Sequence, residues 1–365
     1  LVGGDPVVLD LAPVVDIRHW SSYELEQKSH ENIGNYNDVK YIWEPSRFGW
    51  AIKLGRAYHL LGDESYSETF WNNFEVFLKE NPVFMGPNWI SAQEVALRII
   101  VFSFVFHVFE SSIHSSDERK RKLAISIIEH AERIPHTLIY PRAQNNNHLL
   151  SEALGLITAS CILPKYPKAE RWGRLGWKWF IRGLDNQIGE DGSYCQHSTN
   201  YHRFLIQLIL WANILDTARS EGGHLWLNKK VRNKIIKAGF WLLKMCDGQT
   251  GQVPNLGPND GSYILPLTNL DFLDYRPVLQ ASSKILLNKQ AFASGAWDEM
   301  AAWFDSKILK QKWSTSYYGG EKATSFEKER PIILHRRTVR GYFRVARFED
   351  RPGHADQLHL DLWWK

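Results

Sequence analysis

Apolar side chains recur at helical spacing along most of this chain. Trp50, Leu54, Ala57, Tyr58 and Leu61 form one stripe, and Tyr66, Phe70, Phe74, Val76 and Phe77 form the next. Steps of three and four place such residues on one face of a helix. Gly62–Asp63–Glu64 lies between the stripes, closing one helix and opening another. The same period predicts helices near 90–110, 117–133, 147–162, 168–187, 199–219, 227–246, 269–288 and 296–308. Their connections are short and carry Gly, Pro, Asn or Asp. Antiparallel helices without intervening strands imply stacked αα-hairpins, closed into an α/α toroid or left as an open superhelix. The fold class is mainly α.

Two regions break this pattern. Residues 1–45 read as an irregular N-terminal segment, because Pro6, Pro13 and Pro45 interrupt any long element. The helical domain is expected over 46–311. Residues 312–330 are polar and Gly-containing and read as a linker. Beyond them the period drops to two. Tyr342, Arg344, Ala346 and Phe348 share one face. Leu358, Leu360 and Leu362 oppose Gln357, His359, Asp361 and Trp363. These are strands. Two strands alone are not a stable sheet. Residues 331–365 are therefore expected to begin a second, β-rich domain whose remainder lies beyond Lys365.

Composition narrows the function classes. Of 365 residues, 44% are hydrophobic, enough for a sizeable core. The net charge is +4, from 44 basic and 40 acidic residues. No basic block interleaved with aromatics appears, which excludes a nucleic-acid footprint but permits a local anion site. The longest apolar run, 99–109, contains His107 and is far short of the roughly 20 residues that a membrane span needs. Cys161, Cys195 and Cys246 show neither zinc spacing nor a disulfide framework. Cys161 and Cys246 read as core. The 16 tryptophans suit an aromatic core first and a sugar-stacking groove second.

Four polar clusters could carry chemistry. Gln144–Asn145–Asn146–Asn147–His148 opens the helix that continues through Leu149, Leu150 and Glu152. One asparagine makes an N-cap; three amides and an imidazole are more than a cap requires. His148 and Glu152 stand four apart on one face. The second cluster runs from Asp191 to Arg203 and holds Tyr194, His197, Tyr201, His202 and Arg203. The third is Gly353–His354–Ala355–Asp356, followed by His359 and Asp361 at alternate strand positions, where imidazole and carboxylate could ligate a metal. The fourth is Trp43–Glu44–Pro45–Ser46–Arg47 with Asn88–Trp89 and Glu94 to Arg98. There, Arg beside Trp could bind an anionic sugar. A buried Arg–Glu pair between helices explains the same residues equally well.

In this order across residues 43–361, these motifs resemble the heparinase II/III-like polysaccharide lyases, whose relatives include alginate and hyaluronan lyases. The resemblance implies an α/α toroid followed by an antiparallel β-sandwich, with the cleft between them. It implies β-elimination in an anionic, uronate-containing polysaccharide. Asn147 and His148 would neutralise the uronate carboxylate, so that the charge formed at C5 spreads into an enediolate. Tyr201 would exchange protons, and His354 falls in the family's histidine motif. A tyrosine with an ordinary pKa near ~10 is a poor base at neutral pH, so His202 and Arg203 are expected to act as cationic neighbours. Trp43, Arg47, Asn88, Trp89, Arg98, His197, His202 and Arg203 would bind substrate, with Glu152 supporting His148.

The chain departs from the family where Gly353 stands in place of the first histidine of a His–x–His. His359 could take that role. The resemblance implies no cofactor for the chemistry, but a structural zinc or calcium ion in the β domain, held by His354, His359 and Asp361. It implies a periplasmic or secreted protein, with the cytoplasm left open, and is compatible with a homodimer. Two other readings stand beside it. A glycoside hydrolase would need paired carboxylates, with Asp185, Asp191 and Asp260 as candidates. A non-catalytic polysaccharide-binding protein would bind without turnover.

Overall fold

The computed structural model describes residues 17–25, 39–217, 228–259, 263–311, 313, 332–336, 339–345 and 358–364. Helices dominate up to residue 304. They are α1 (Trp20–Leu25), α2 (Lys40–Ser46), α3 (Gly49–Leu61), α4 (Ser65–Glu80), α5 (Ala92–Phe109), α6 (Asp117–Arg133) and α7 (Ile139–Gln144). Then come α8 (Asn147–Ile162), α9 (Ala169–Gln187), α10 (Thr199–Thr217), α11 (Lys229–Met245), α12 (Arg276–Leu287) and α13 (Asp298–Phe304). The starts follow from side chains: Ser91 Oγ accepts from Glu94 N, Ser116 Oγ from Arg119 N, and Asn228 Oδ1 from Lys230 N and Val231 N. Helix therefore begins earlier than the proline count implies, since α1 and most of α2 fall before residue 46.

The chain divides into two compact units, Leu1–Tyr140 with Ser151–Gly176, and Pro141–Leu150 with Trp177–Lys365. The first is built around α3 to α6. Phe70, Trp71, Phe74 and Phe77 are the buried stripe of α4. Phe48, in the left-handed region at φ 60°, sends a fully buried ring into that stripe. Its centroid lies 5.1 to 6.5 Å from those of Phe70, Phe74, Phe77 and Phe102. Each such side chain is worth about 1.5–3 kcal/mol of burial. Helix α5 is long and apolar enough to cross a membrane, yet 78% of it is buried inside the protein, so it is the core helix of this unit. Gly155 of α8 lets that helix reach α5: a Cβ there would stand 2.7 Å from Ala96 Cβ.

In the second unit α10 is buried from Thr199 to Ala212 except at Tyr201 and packs against α11 and α12. The strands β1 (Ile332–Arg336), β2 (Val339–Val345) and β3 (Leu358–Trp364) form one antiparallel sheet in the order β1–β2–β3. Ile333 pairs with Tyr342, and Tyr342 with Asp361. The alternation along β3 is as expected. Its leucine face, Leu358, Leu360 and Leu362, is exposed, whereas His359, Asp361 and Trp363 are half-buried. Arg340 Nη2 donates to Lys244 O at 2.8 Å and Asn255 N to Asp361 Oδ2 at 3.0 Å, fastening the sheet to the end of α11 and the loop after it.

Candidate active site

The asparagine run acts first on its own backbone. Asn145 takes a left-handed turn at φ 48°, a conformation that asparagine tolerates better than most residues. Asn146 caps α8: its Oδ1 accepts from His148 N at 3.1 Å and its carbonyl from Leu149 N at 3.1 Å. Asn147 and His148 are thus the first two residues of α8, Asn147 buried and His148 half-buried. Oriented N–H groups at a helix start favour an anion.

Tyr201 occupies the third position of α10, another helix start. Ser198 Oγ accepts from Tyr201 N at 3.2 Å, and Thr199 Oγ1 donates to Pro254 O at 2.8 Å. His197, just before the cap, is half-buried in the left-handed region at φ 52°. Histidine rarely pays for that conformation without a reason in its surroundings.

Three bonds tie the α8 start to the end of α9 and to the residues ahead of α10. Gln187 Nε2 donates to Asn146 O at 2.8 Å, and Tyr194 OH donates to Gln187 Oε1 at 3.2 Å. Cys195 Sγ donates to Asn145 O at 3.6 Å. Tyr194 is 2% exposed, and burial holds its hydroxyl well above the usual tyrosine range. Beside the α10 start lies a cavity of about 280 Å³, whose lining includes Thr199, Asn255, Asn259, Tyr275, Asp361 and Trp363.

The Trp43–Arg98 motifs lie in the first unit and bond inward. Arg47 clamps Glu94 through Nε (2.5 Å) and Nη2 (2.7 Å) and also pairs with Glu44. Trp43 Nε1 donates to Pro87 O at 3.0 Å. Arg98 has no exposed surface. Its Nε donates to His130 Nε2 at 2.9 Å and its Nη2 to Asn88 O at 2.6 Å. His130 Nδ1 donates in turn to Ser126 O at 2.7 Å, and burial pushes the imidazole well below its ordinary pKa. A neutral His130 is what Arg98 needs, because the lone pair on Nε2 is then free to accept.

Comparison with known proteins adds the ancestry. A family model described as the heparinase II/III N-terminus matches residues 16–249, more than half of the chain. The chain belongs to the heparinase II/III family. It is 30% identical over 166 residues to a heparin-sulfate lyase of Bacteroides thetaiotaomicron, covering 45% of this chain and 23% of that protein. It is 26% identical over 200 residues to a heparin-sulfate lyase of Bacteroides stercoris, covering 49% and 29%. Heparan sulfate lyase HepC from Pedobacter heparinus superposes with a TM-score of 0.55 at 16% identity, over 91% of this chain and 49% of that one. A heparinase III does so with a TM-score of 0.55, over 91% and 51%. The fold expectation, mainly helical with antiparallel strands last, is borne out. The chain spans under a third of the curated relatives in these matches and about half of the solved ones.

Within this family frame several expected substrate ligands need correction. Asn88, Trp89 and Arg98 are 0%, 2% and 0% exposed, so no polymer reaches them. Arg47 is committed to Glu94. His202 and Arg203 are each 1% exposed. Arg203 sits among the rings of Tyr263, Phe272 and Tyr275 at 4.2 to 4.4 Å and donates to Asn200 Oδ1 and Phe272 O. His202 stacks on Trp241 at 4.9 Å and donates from Nε2 to Ala238 O. Burial pushes its pKa down to about 4, so it is not the cation expected beside Tyr201. Glu152 is also buried. Desolvation drives its carboxyl well above the usual range, with Arg133 opposing.

His354 lies outside the described residues. His359 Nε2 and Asp361 Oδ2 are 3.2 Å apart and bond to each other, and Asp361 also accepts from Asn255. Among the described residues no three His, Cys, Asp or Glu side chains are grouped to hold a metal. Of the three expected zinc or calcium ligands, only His359 and Asp361 are among the described residues. Sequence reasoning missed Gln187, which carries no motif of its own, and placed Tyr194 in the second cluster without a role.

The buried histidine makes the fold acid-sensitive. The unfolded chain binds a proton at an ordinary histidine below about pH 6.5, whereas folded His202 resists protonation until about 4. The unfolded state holds the extra proton in between, so stability falls as pH falls through that window and the loss levels off below it. The shift corresponds to about 3 kcal/mol. Denaturant unfolding at pH 7 and pH 4.5 should show the loss, and His202→Gln should remove its share. An unchanged pH slope in that variant would rule the assignment out.

Proposed function

We propose that this chain carries the helical part of a polysaccharide lyase that cleaves a uronate-containing anionic polymer by β-elimination. The observation that supports it most is the hydrogen-bonded path from the Asn147–His148 helix start through Gln187 to Tyr194, whose ring meets that of His202, the neighbour of Tyr201. Asn147 and His148 hold the C6 carboxylate at the α8 N-terminus, where N–H groups and the helix dipole favour negative charge. The C5 proton leaves, its electron pair forms the C4=C5 double bond, the C4–O4 bond breaks and O4 gains a proton. Tyr201 supplies and accepts protons in this exchange, with His354 as the second imidazole group, and no cofactor is consumed. His197 and Trp43 remain candidates for sugar contact.

The family relatives are named for heparin sulfate, so heparan-type polymers come first among substrates, followed by hyaluronan, chondroitin, alginate and gellan-type polymers. Ultraviolet absorbance of the unsaturated uronate should rise on mixing enzyme and substrate. No rise with any of the five would sink the reading. The hydrolase alternative is disfavoured by its own carboxylates. Asp185 is held below the usual range by Lys230 and Lys234, the opposite of what a general acid requires. Asp191 Oδ1 is spent on Ser193 N and Oγ, and Asp260 lies outside the described residues.

A further inference from the structure

Gln187 is the last residue of α9, 1% exposed, and uses both ends of its amide. Nε2 donates to Asn146 O and Oε1 accepts from Tyr194 OH. Its own carbonyl accepts from Cys195 N at 3.0 Å. The orientation of the amide is decided by its partners, because the Asn146 carbonyl can only accept. No other side chain of this length offers one donor and one acceptor at once. A glutamate would face that carbonyl with a second acceptor, and a leucine would leave both partners buried and unsatisfied.

The partners are what give the amide its reach. Asn146 is the cap that sets the direction of Asn147 and His148. Tyr194 stays a neutral donor, since burial lifts its hydroxyl well above the usual tyrosine range. Its ring also meets the His202 ring edge-on at 6.1 Å, one residue beyond Tyr201. The bonded path Asn146–Gln187–Tyr194 thus runs from the carboxylate-binding helix start to a ring that packs against His202, beside Tyr201 in α10.

We propose that Gln187, acting through Tyr194, is a positioning residue that fixes the spacing between the Asn147–His148 pair and Tyr201. This rests on the lyase reading for its consequence, but not for its geometry. Gln187 touches no substrate. Its loss should leave binding of the polymer largely intact and misplace the carboxylate grip relative to the tyrosine. A small misplacement is costly, as errors near 1 Å can lower rates about 10²-fold.

The test uses Gln187→Leu, Gln187→Glu and Tyr194→Phe in the full chain, with two readouts. In steady-state cleavage, both Gln187 variants should lower kcat about 10- to 100-fold while KM moves less than about twofold. In an Asn147→Ala background, Gln187→Leu should cost less than about a further twofold, because the group it positions is gone. In amide hydrogen exchange without substrate, Gln187→Leu should speed exchange about tenfold at 147–149 and at 199–201 together, and not across the chain. Tyr194→Phe, which removes one hydroxyl, should act in the same direction if Gln187→Leu does not fold. Unchanged kcat in folded Gln187→Leu, undiminished cost in the Asn147→Ala background, or faster exchange in only one of the two segments would each overturn the proposal. If the unmodified chain cleaves no uronate polymer, the lyase reading fails, while the exchange experiment still decides the positioning role.

Discussion

Tyr201→Phe is expected to lower kcat/KM on the cleaved polymer by about 10²–10⁴-fold, the usual worth of a positioned acid–base group. The change deletes one oxygen from a half-buried side chain. The cap bond from Tyr201 N to Ser198 Oγ is a backbone contact and survives, as does the ring contact with Phe204 at 6.4 Å. Thermal stability should therefore shift little, and binding of the polymer should persist. Cleavage followed by unsaturated-uronate absorbance, alongside a melting curve and a binding titration, separates these effects. Activity retained within about threefold of the unmodified chain would remove Tyr201 from the mechanism. It would favour the non-catalytic reading if the unmodified chain also fails to turn over.

The largest effect on stability is expected at Arg98. Arg98→Met should destabilise the chain by about 3–5 kcal/mol, the usual cost of breaking a buried polar pair by removing one partner. The guanidinium has no exposed surface and burial lowers its pKa to about 9, so its charge is retained at neutral pH at a desolvation cost. That cost is offset by its bonds to His130 and Asn88 and by the rings of Phe77 and Trp89 at 5.4 and 5.9 Å. Asn88 in turn donates to Asn81, and Asn81 to Phe77 O, so the loss propagates through a hydrogen-bonded chain. Lysine cannot replace it, lacking the planar fork that meets two partners at once. Denaturant unfolding checks the size, and kinetics on folded material checks the kind. A stable Arg98→Met protein with a raised KM would restore Arg98 as a substrate ligand and refute its structural role.

These two residues show how unevenly function could be read from the chain. Helix α6 was expected at 117–133 and spans Asp117–Arg133, because Ser116 caps it and its apolar stripe is local. The helix expected at 269–288 begins only at Arg276. Asp271 and Asp274 fold turns against Leu273 N and Arg276 N, and Pro277 enters at the first turn. The Asn–His run and Tyr201 were legible as a candidate site because three amides and an imidazole exceed what one cap requires, and because the motifs fall in family order. Arg98, His202 and Arg203 look the same in sequence as ligands would. Their partners stand 32 to 69 residues away, at His130, Ala238 and Phe272. Burial by distant segments leaves no local mark.

The sequence by itself determined the helical period, the helix starts near 147 and 199, the strand alternation at the C-terminal end, and the family motifs. All of these depend on neighbours within a turn or two. Tertiary structure alone decided which charges are sealed into the core and that the polar face of β3 turns inward. It also decided that a single glutamine joins the α8 cap to Tyr194, since desolvation and hydrogen bonding at Gln187 depend on groups that only folding brings within 3 Å or so.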